Sequence, residues 1–229
     1  MVSQETIDSI TARLDALEAW RASLDTPAVP PAPAPLGIVT PVVLYFGFGV
    51  QQPVLDGLEA ALLAAQDWYR GRLGKTFTYS KPIALPAKSS FEYYMLDPWG
   101  RVQETLRAHV QPLWGYSRAI AAFIEGMPHT TAGLGGGSNN EQTSGLVVKD
   151  GDALTIWEQG PSHPEWNRTT GMLCHELMHA FVTIGDPIGE HYDAPGDNIE
   201  YEWWNWPSGG FNQYTIAALK DSIFLGQGL

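Results

Sequence analysis

The stretch His-Glu-Leu-Met-His at residues 175–179 decides how the rest of this chain is interpreted. Apolar residues recur around it at helical spacing, and Gly185 suits the end of a helix. Together these features predict one helix from Thr169 to Ile184. Residues four apart on a helix lie on the same face, so His175 and His179 can both direct an imidazole at one divalent cation.

A metal site on this helix needs a further ligand, because a catalytic zinc ion is usually held by three protein side chains and one water molecule. His191 is the favoured third ligand, since imidazole suits zinc and the intervening Gly-Asp-Pro-Ile-Gly turn can fold back. Asp186, Glu200 and Glu202 remain alternatives. Glu176 is predicted to act on the metal-bound water as a general base without binding the metal itself.

The run at residues 175–181 resembles the motif helix of the zincin superfamily of metallopeptidases, in its metzincin-like or SprT-like forms. That resemblance implies an α+β fold with an active-site helix and a small mixed sheet, a Zn²⁺ cofactor, and hydrolysis of peptide bonds in a peptide or protein substrate. The chain departs from the metzincin pattern at Val182 and Gly185, where that pattern has Gly and then His or Asp. It departs again at Ile199, which stands in place of the methionine turn. SprT-like zincins place a third histidine after a longer insertion, which favours His191.

The composition bounds the kinds of partner that this chain can have. Its 229 residues carry a formal net charge of −12, and 44% of them are hydrophobic, which is enough for one domain with a sizeable core and an appendage. Because phosphate contacts need clustered Lys and Arg, neither nucleic acid nor a membrane surface is expected as a partner. Cys174 is the only cysteine, so an intramolecular disulfide is excluded and a small buried core residue is expected there.

The start of the sequence and its apolar runs predict where the protein is found. The N-terminus lacks the basic start and apolar run of a secretory signal. No apolar run reaches the roughly 18 residues that a membrane-spanning helix needs. The expected location is therefore the cytoplasm or a particle such as a virion.

The chain is predicted to have three parts. Residues 1–25 form a coiled-coil helix, because core positions follow alternating three- and four-residue steps, with apolar residues at Ile7, Ile10, Leu14, Leu17 and Leu24 and Arg21 at the one off-pattern position. Isoleucine at the early core positions favours a trimer, so a homo-oligomer formed through residues 5–25 is expected, with a helix docked on the main domain as the alternative. Residues 26–36 form a proline-rich linker, and residues 37–229 form the zincin-like metallopeptidase domain that the resemblance implies.

Hydrophobic periodicity and turn residues predict the elements of residues 37–229. In chain order they are a strand at 42–48, a helix from Pro53 to Arg72, a strand at Thr76–Tyr79, a helix from Val102 to Gly126, a Gly- and Ser-rich loop from Thr131 to Ser144, a hairpin with arms at 145–148 and 153–157, the motif helix, and a final helix from Asn212 to Leu225 capped by Asn212. A strand pair directly before the motif helix agrees with the zincin resemblance. The edge of the sheet could then hold an extended peptide by strand addition.

Several aromatic residues and histidines outside the motif could have either a functional or a purely structural role. Tyr192 or Tyr201 could donate a hydrogen bond to the oxyanion that forms during hydrolysis, although packing is the ordinary role of such side chains. The tryptophans at 203, 204 and 206 could line a substrate cleft or belong to the core. His109, His129 and His163 are expected to be surface or locally bonded residues.

A function from a different class is also compatible with this sequence. A coiled-coil stalk, a proline-rich spacer and a globular head suit a multimeric appendage, for instance on a virion. In that alternative the protein is a non-catalytic structural or binding protein, whose zincin-like head keeps metal for stability or has lost activity. Metal content and peptide hydrolysis distinguish the two functions.

Overall fold

The computed structural model describes the ranges 38–47, 49–97, 100–102, 104–106, 118–124, 133–138, 143–148, 153–182, 203–220 and 224–226, together with residues 199 and 222. For 118–124, 133–138 and 143–148 it describes the backbone. The predicted coiled coil at 1–25 and the predicted linker at 26–36 lie outside the described residues, so both stay predictions.

Helices and strands are mixed along the described residues. In chain order they are β1 (Ile38–Tyr45), α1 (Gln52–Leu73), β2 (Thr78–Tyr79), β3 (Ile83–Pro86), α2 (Phe91–Leu96), β4 (Arg118–Ile124), β5 (Gly133–Ser138), β6 (Thr143–Val148), α3 (Ala153–Gln159), α4 (Trp166–Phe181) and α5 (Gln213–Lys220). Two short 3₁₀ turns, Gly160–Ser162 and Trp203–Asn205, precede α4 and α5 respectively. This mixture agrees with the predicted α+β class. None of the described helices is both long enough and apolar enough to cross a membrane.

The strands form one mixed sheet in which β1 pairs with β2 and β3 on one side and β4, β6 and β5 follow in that order on the other. Every pairing is parallel except that of β5 with β6, so an antiparallel strand forms this edge of the sheet. β1 is buried at each residue from 39 to 44. A parallel strand that is covered on both faces needs a continuous apolar run, which is why β1 shows no alternation of apolar and polar residues.

α1 confirms the predicted helix from Pro53 to Arg72 and has the residues that helix ends require. Pro53 lies in the first turn, where its fixed φ suits a helix and its missing N–H costs no hydrogen bond. Gly74 ends the helix with a φ of 67°, and its N–H donates to the carbonyl of Arg70 at 2.9 Å. The face of α1 that includes Leu58 is buried, as the apolar periodicity predicts.

The predicted helix from Val102 to Gly126 is wrong in its second half. Residues 104–106 are helical, but Arg118–Ile124 forms β4, which lies between β1 and β6. The segment Arg-Ala-Ile-Ala-Ala-Phe-Ile contains alanines, which favour helices in isolation, and it lacks the alternation that marks a half-buried strand. A strand with parallel neighbours on both sides needs no alternation, so the local pattern could not identify it.

The predicted loop from Thr131 to Ser144 and the second arm of the predicted hairpin are also wrong, whereas the first arm at 145–148 is confirmed as part of β6. Gly133–Ser138 forms β5 and pairs antiparallel with β6, so the antiparallel pair falls one element earlier than predicted. Ala153–Gln159 is the helix α3 and not the second arm of a hairpin. Glycine is a weak strand former, so the strand at Gly133–Ser138 depends on its partner and could not be predicted from local preference.

α4 packs against α1 and against the β5–β6 edge of the sheet. Tyr69 of α1 lies between Phe77 and Phe181, with ring centroids 5.7 and 5.6 Å away, and all three side chains are buried. Edge-to-face aromatic contacts of this kind stabilise a core beyond the area that they bury. The packing therefore holds the helix that carries residues 175–179 against two other elements.

Candidate metal centre

α4 begins about a turn before the predicted start at Thr169 and ends at Phe181. It ends where Val182 adopts extended backbone while its N–H still donates to the last turn of the helix. Most of its residues are buried, and the exceptions are Asn167, Arg168 and His179. The partial exposure of His179 shows that the motif reaches solvent on one side of a helix that is otherwise covered.

The two histidines of the motif converge on one point. Their Nε2 atoms lie 3.1 Å apart, and their rings are nearly perpendicular, with an interplanar angle of 82°. Two imidazole nitrogens bound to one tetrahedral zinc ion at ~2.0–2.1 Å would lie about 3.3 Å from each other. The spacing of His175 and His179 therefore fits a single shared cation.

His175 is held in the tautomer that a metal ligand needs. Its Nδ1 lies 2.7 Å from the carbonyl oxygen of Ile199, and a carbonyl can only accept, so Nδ1 carries the proton and donates. In neutral imidazole the lone pair is then on Nε2, the atom that faces His179. A histidine that binds a metal commonly donates its other ring N–H to a backbone carbonyl, and this orients the ring.

The 3₁₀ turn at Trp203–Asn205 and Trp206 lie close against α4 at Gly171. A Cβ at Gly171 would overlap the carbonyl oxygen of Trp203 and lie 2.7 Å from Cβ of Trp206. Ile199 itself is buried, and its N–H donates to the carbonyl of Gly210 at 3.0 Å. The role of Gly171 was not predicted from the sequence, because a glycine inside a helix pattern signals a close neighbour without identifying it.

Glu176 shares the buried environment of His175. The side chains are 4% and 3% exposed respectively, so both lie almost entirely out of water. Burial of an ionisable carboxyl is compatible with folding where charges or hydrogen bonds compensate for the lost hydration, and a cation beside the two imidazoles would add such a charge. The structure thus places the predicted general base in the same water-poor region as a predicted metal ligand.

The backbone of the motif helix is tied to α1 just before the first histidine. The hydroxyl of Tyr69 donates to the carbonyl oxygen of Cys174 at 2.8 Å, and both side chains are buried. Burial raises the pKa of the Tyr69 hydroxyl, and it raises the pKa of the Cys174 thiol well above its usual range. Cys174 is therefore the small core residue that was predicted, and its thiol stays protonated at neutral pH.

Replacing Tyr69 by Phe is expected to lower the free energy of unfolding by about 1 kcal/mol. The change removes the hydroxyl that donates to Cys174 and keeps the buried ring. Urea unfolding followed by circular dichroism measures the difference. Tyr214→Phe is the control, because Tyr214 is 62% exposed and its change should stay within about 0.5 kcal/mol. Equal values for the two variants would show that the buried hydrogen bond contributes nothing.

Every predicted candidate for a third metal ligand lies outside the residues that the structure describes. Within those residues, no other His, Cys, Asp or Glu joins the two histidines in a metal-binding group. The predicted ligand, its alternatives and the two tyrosines considered for the oxyanion all lie outside the described residues: His191, Asp186, Glu200, Glu202, Tyr192 and Tyr201. Their roles stay predictions.

Two other expectations near the motif are decided by the structure. His163 accepts a hydrogen bond from the backbone N–H of Glu165 at 3.0 Å, which confirms that it is locally bonded. The tryptophans were expected either to line a substrate cleft or to belong to the core. Trp206 is buried in the core, whereas Trp203 is partly buried and Trp204 is 50% exposed. Only the last two can therefore contact a bound molecule without a rearrangement of the core.

Comparisons with protein-family models and with curated proteins found no match for this chain. The chemistry of the two histidines and of Glu176 is therefore the basis on which a function can be inferred.

Proposed function

We propose that this chain is a zinc-dependent peptidase with a zincin-like fold. His175 and His179 would hold the zinc ion together with His191, and Glu176 would be the general base. The observation that carries the proposal is the 3.1 Å separation of the two Nε2 atoms, combined with the donation of the His175 Nδ1–H to Ile199. The same 3.1 Å also suits a direct hydrogen bond between the two rings, as in a buried helix whose histidines bond to each other, so zinc binding is what distinguishes the two arrangements.

The described side chains could perform the proton transfers of hydrolysis. When bound, zinc supplies a water molecule whose pKa is lowered toward ~7 and polarises the carbonyl of the scissile bond. Glu176 would accept the proton of that water and later deliver it to the leaving amine. The burial of His175 and Glu176 keeps bulk water away from this exchange, whereas the partial exposure of His179 leaves a side from which a substrate can enter.

A substrate peptide could bind along β5. This strand, Gly133–Ser138, pairs with β6 on one side, and none of the described strands pairs with its other side. α4 packs against β5, so the unpaired edge belongs to the strand that is next to the motif helix. A peptide in extended conformation could add to this edge through backbone hydrogen bonds. This arrangement also supports the zincin-like fold.

Zinc binding is the first test of the proposal. Wild-type protein that has been dialysed against excess zinc and then freed of unbound metal should retain about one zinc ion per chain, measured by elemental analysis. His175→Ala and His179→Ala should each lose it. His163→Ala is the matched control and should retain it, because His163 bonds to Glu165 and not to the motif. Wild-type protein without bound zinc would refute the proposal.

The third ligand is tested with the same zinc measurement, and the reaction is tested with a separate hydrolysis assay. Among single alanine variants at the four candidate positions, His191→Ala should weaken zinc binding the most, and Asp186, Glu200 and Glu202 are the comparison. Hydrolysis is followed by mass spectrometry over a broad peptide library and should disappear with a chelator and return with zinc. A wild-type protein that binds zinc and cleaves nothing would instead favour the non-catalytic structural or binding protein.

A further inference from the structure

We propose that Trp68 and Arg72, near the end of α1, are positioning residues for His175 and act on it through residues 199 and 203–210, called the loop below. Their effect on zinc affinity rests on the proposed function. Their effect on the imidazole of His175 does not, because the hydrogen bonds involved are all within the chain.

Three hydrogen bonds connect α1 to the end of this loop. Trp68 donates its Nε1–H to the carbonyl of Pro207 at 3.0 Å. Nη2 of Arg72 donates to the carbonyls of Pro207 and Ser208 at 3.0 and 2.7 Å. The guanidinium also lies 5.9 Å from the centre of the Trp68 ring, within the range of a cation–π contact. Two adjacent carbonyls are thus fixed in place by donors from one turn of a helix.

The described part of the loop is connected to the carbonyl that His175 uses. Its two ends are joined, because the N–H of Ile199 donates to the carbonyl of Gly210 at 3.0 Å. Next to that joint, the ring of Phe211 packs against Trp68 with a centroid distance of 4.8 Å. Within the loop, the N–H of Gly209 donates to the carbonyl of Asn205 at 3.0 Å. A displacement at Pro207 and Ser208 is therefore passed along a bonded backbone to Ile199.

The position of the Ile199 carbonyl decides which tautomer His175 adopts. At 2.7 Å the carbonyl favours the tautomer with the proton on Nδ1. If the carbonyl moves away, the other neutral tautomer, with the proton on Nε2, becomes accessible, and that form has no lone pair for a metal on the side facing His179. Holding Pro207 and Ser208 in place is thus a way of keeping the proton of His175 on Nδ1 and the lone pair of its Nε2 on the side that faces His179.

The test uses Trp68→Phe/Arg72→Met, which removes all three hydrogen bonds and keeps an aromatic ring and an apolar stem. Arg70→Met is the matched control, because Arg70 lies on the same helix and bonds locally to Asp67 at 2.5 Å. Arg72→Lys supplies a conservative variant that still has a donor. The first readout is imidazole ¹⁵N NMR of the metal-free, full-length chain, which distinguishes the two tautomers of His175 and is insensitive to a purely structural loss of a few contacts.

In wild type and Arg70→Met, the proton of His175 is expected on Nδ1. In the double variant, a mixture of tautomers is expected, and zinc affinity measured by chelator competition should fall about tenfold. The single variant Arg72→Lys keeps Trp68 and a donor at position 72. Its ¹⁵N spectrum should therefore still show the proton of His175 mainly on Nδ1. A double variant with the wild-type tautomer and wild-type zinc affinity would overturn the positioning role. If wild-type protein binds no zinc, the proposed function fails, and the tautomer comparison alone still decides this inference.

Discussion

Glu176→Gln is expected to lower kcat for peptide hydrolysis by a factor of about 10² to 10⁴ while leaving the zinc content unchanged. Glutamine has nearly the same shape as glutamate, so it can fill the same buried space beside His175. It cannot accept a proton from water at neutral pH. Because the proposed metal ligands are untouched, the variant separates the proposed general base from the proposed metal site, which a histidine variant cannot do.

The measurement needs zinc-loaded protein, a peptide identified by library cleavage, and single-turnover kinetics as well as kcat. Glu165→Gln is the control, because Glu165 lies just before α4, is exposed and contacts Arg168 in a loose ion pair at 3.7 Å. Its kcat should stay close to the wild-type value. Thermal unfolding of both variants establishes that any loss is chemical and does not come from unfolding. A Glu176→Gln variant with wild-type kcat would remove Glu176 from the reaction.

The elements that could be predicted from the sequence are those whose signal is local. α1 has apolar residues at helical spacing, a proline in its first turn and Gly74 after its end, so its bounds were predicted to within a residue or so. Asn212 was predicted to cap the final helix, and its Oδ1 accepts from the N–H groups of Tyr214 and Thr215. The helix ends earlier than predicted, at Lys220, because an apolar run alone does not mark a helix end.

The strands β4 and β5 could not be predicted, since their stability comes from partners that are distant in the sequence. β4 pairs with β1, and the register places Ile38 opposite Arg118. Local residue preferences carry no information about such a pairing, and the alanines of β4 favour a helix. The glycines of β5 similarly favour a loop until β6 lies beside them. The wrong predictions therefore fall where non-local hydrogen bonds override local propensity.

The candidate site also combines a local feature that the sequence predicts with a non-local one that it does not. The spacing of His175 and His179 on a helix is a local feature, and the structure places their Nε2 atoms 3.1 Å apart, while their role as metal ligands stays a prediction. The carbonyl of Ile199 that orients His175 could not be predicted, because any residue has a carbonyl and only the folded chain selects one. His191 lies outside the described residues, so its role as third ligand remains a prediction from ligand chemistry.

Gly171→Ala is expected to lower the free energy of unfolding by about 3 kcal/mol, which for a chain of this size corresponds to a fall in Tm of about 6–12 °C. The added Cβ would overlap the carbonyl oxygen of Trp203, which is backbone and cannot rotate away. The 3₁₀ turn at Trp203–Asn205 must therefore move off α4. In most helix interiors, alanine is about 0.5–1 kcal/mol better than glycine, so the expected sign is opposite to that of helix propensity.

Gly71→Ala is the matched control, because at this position the stability change should have the sign that helix propensity predicts. Gly71 also lies within a helix, α1, but a Cβ there would meet no atom within 4 Å, so the free energy of unfolding should rise by about 0.5–1 kcal/mol. The two variants are compared by thermal and urea unfolding, and their zinc affinities by chelator competition. The turn at Trp203–Asn205 packs against Gly171 and follows Ile199, whose carbonyl orients His175. Gly171→Ala should therefore also weaken zinc binding about tenfold. A stabilised Gly171→Ala would mean that the turn does not lie against α4, and the account of how His175 is oriented would fail with it.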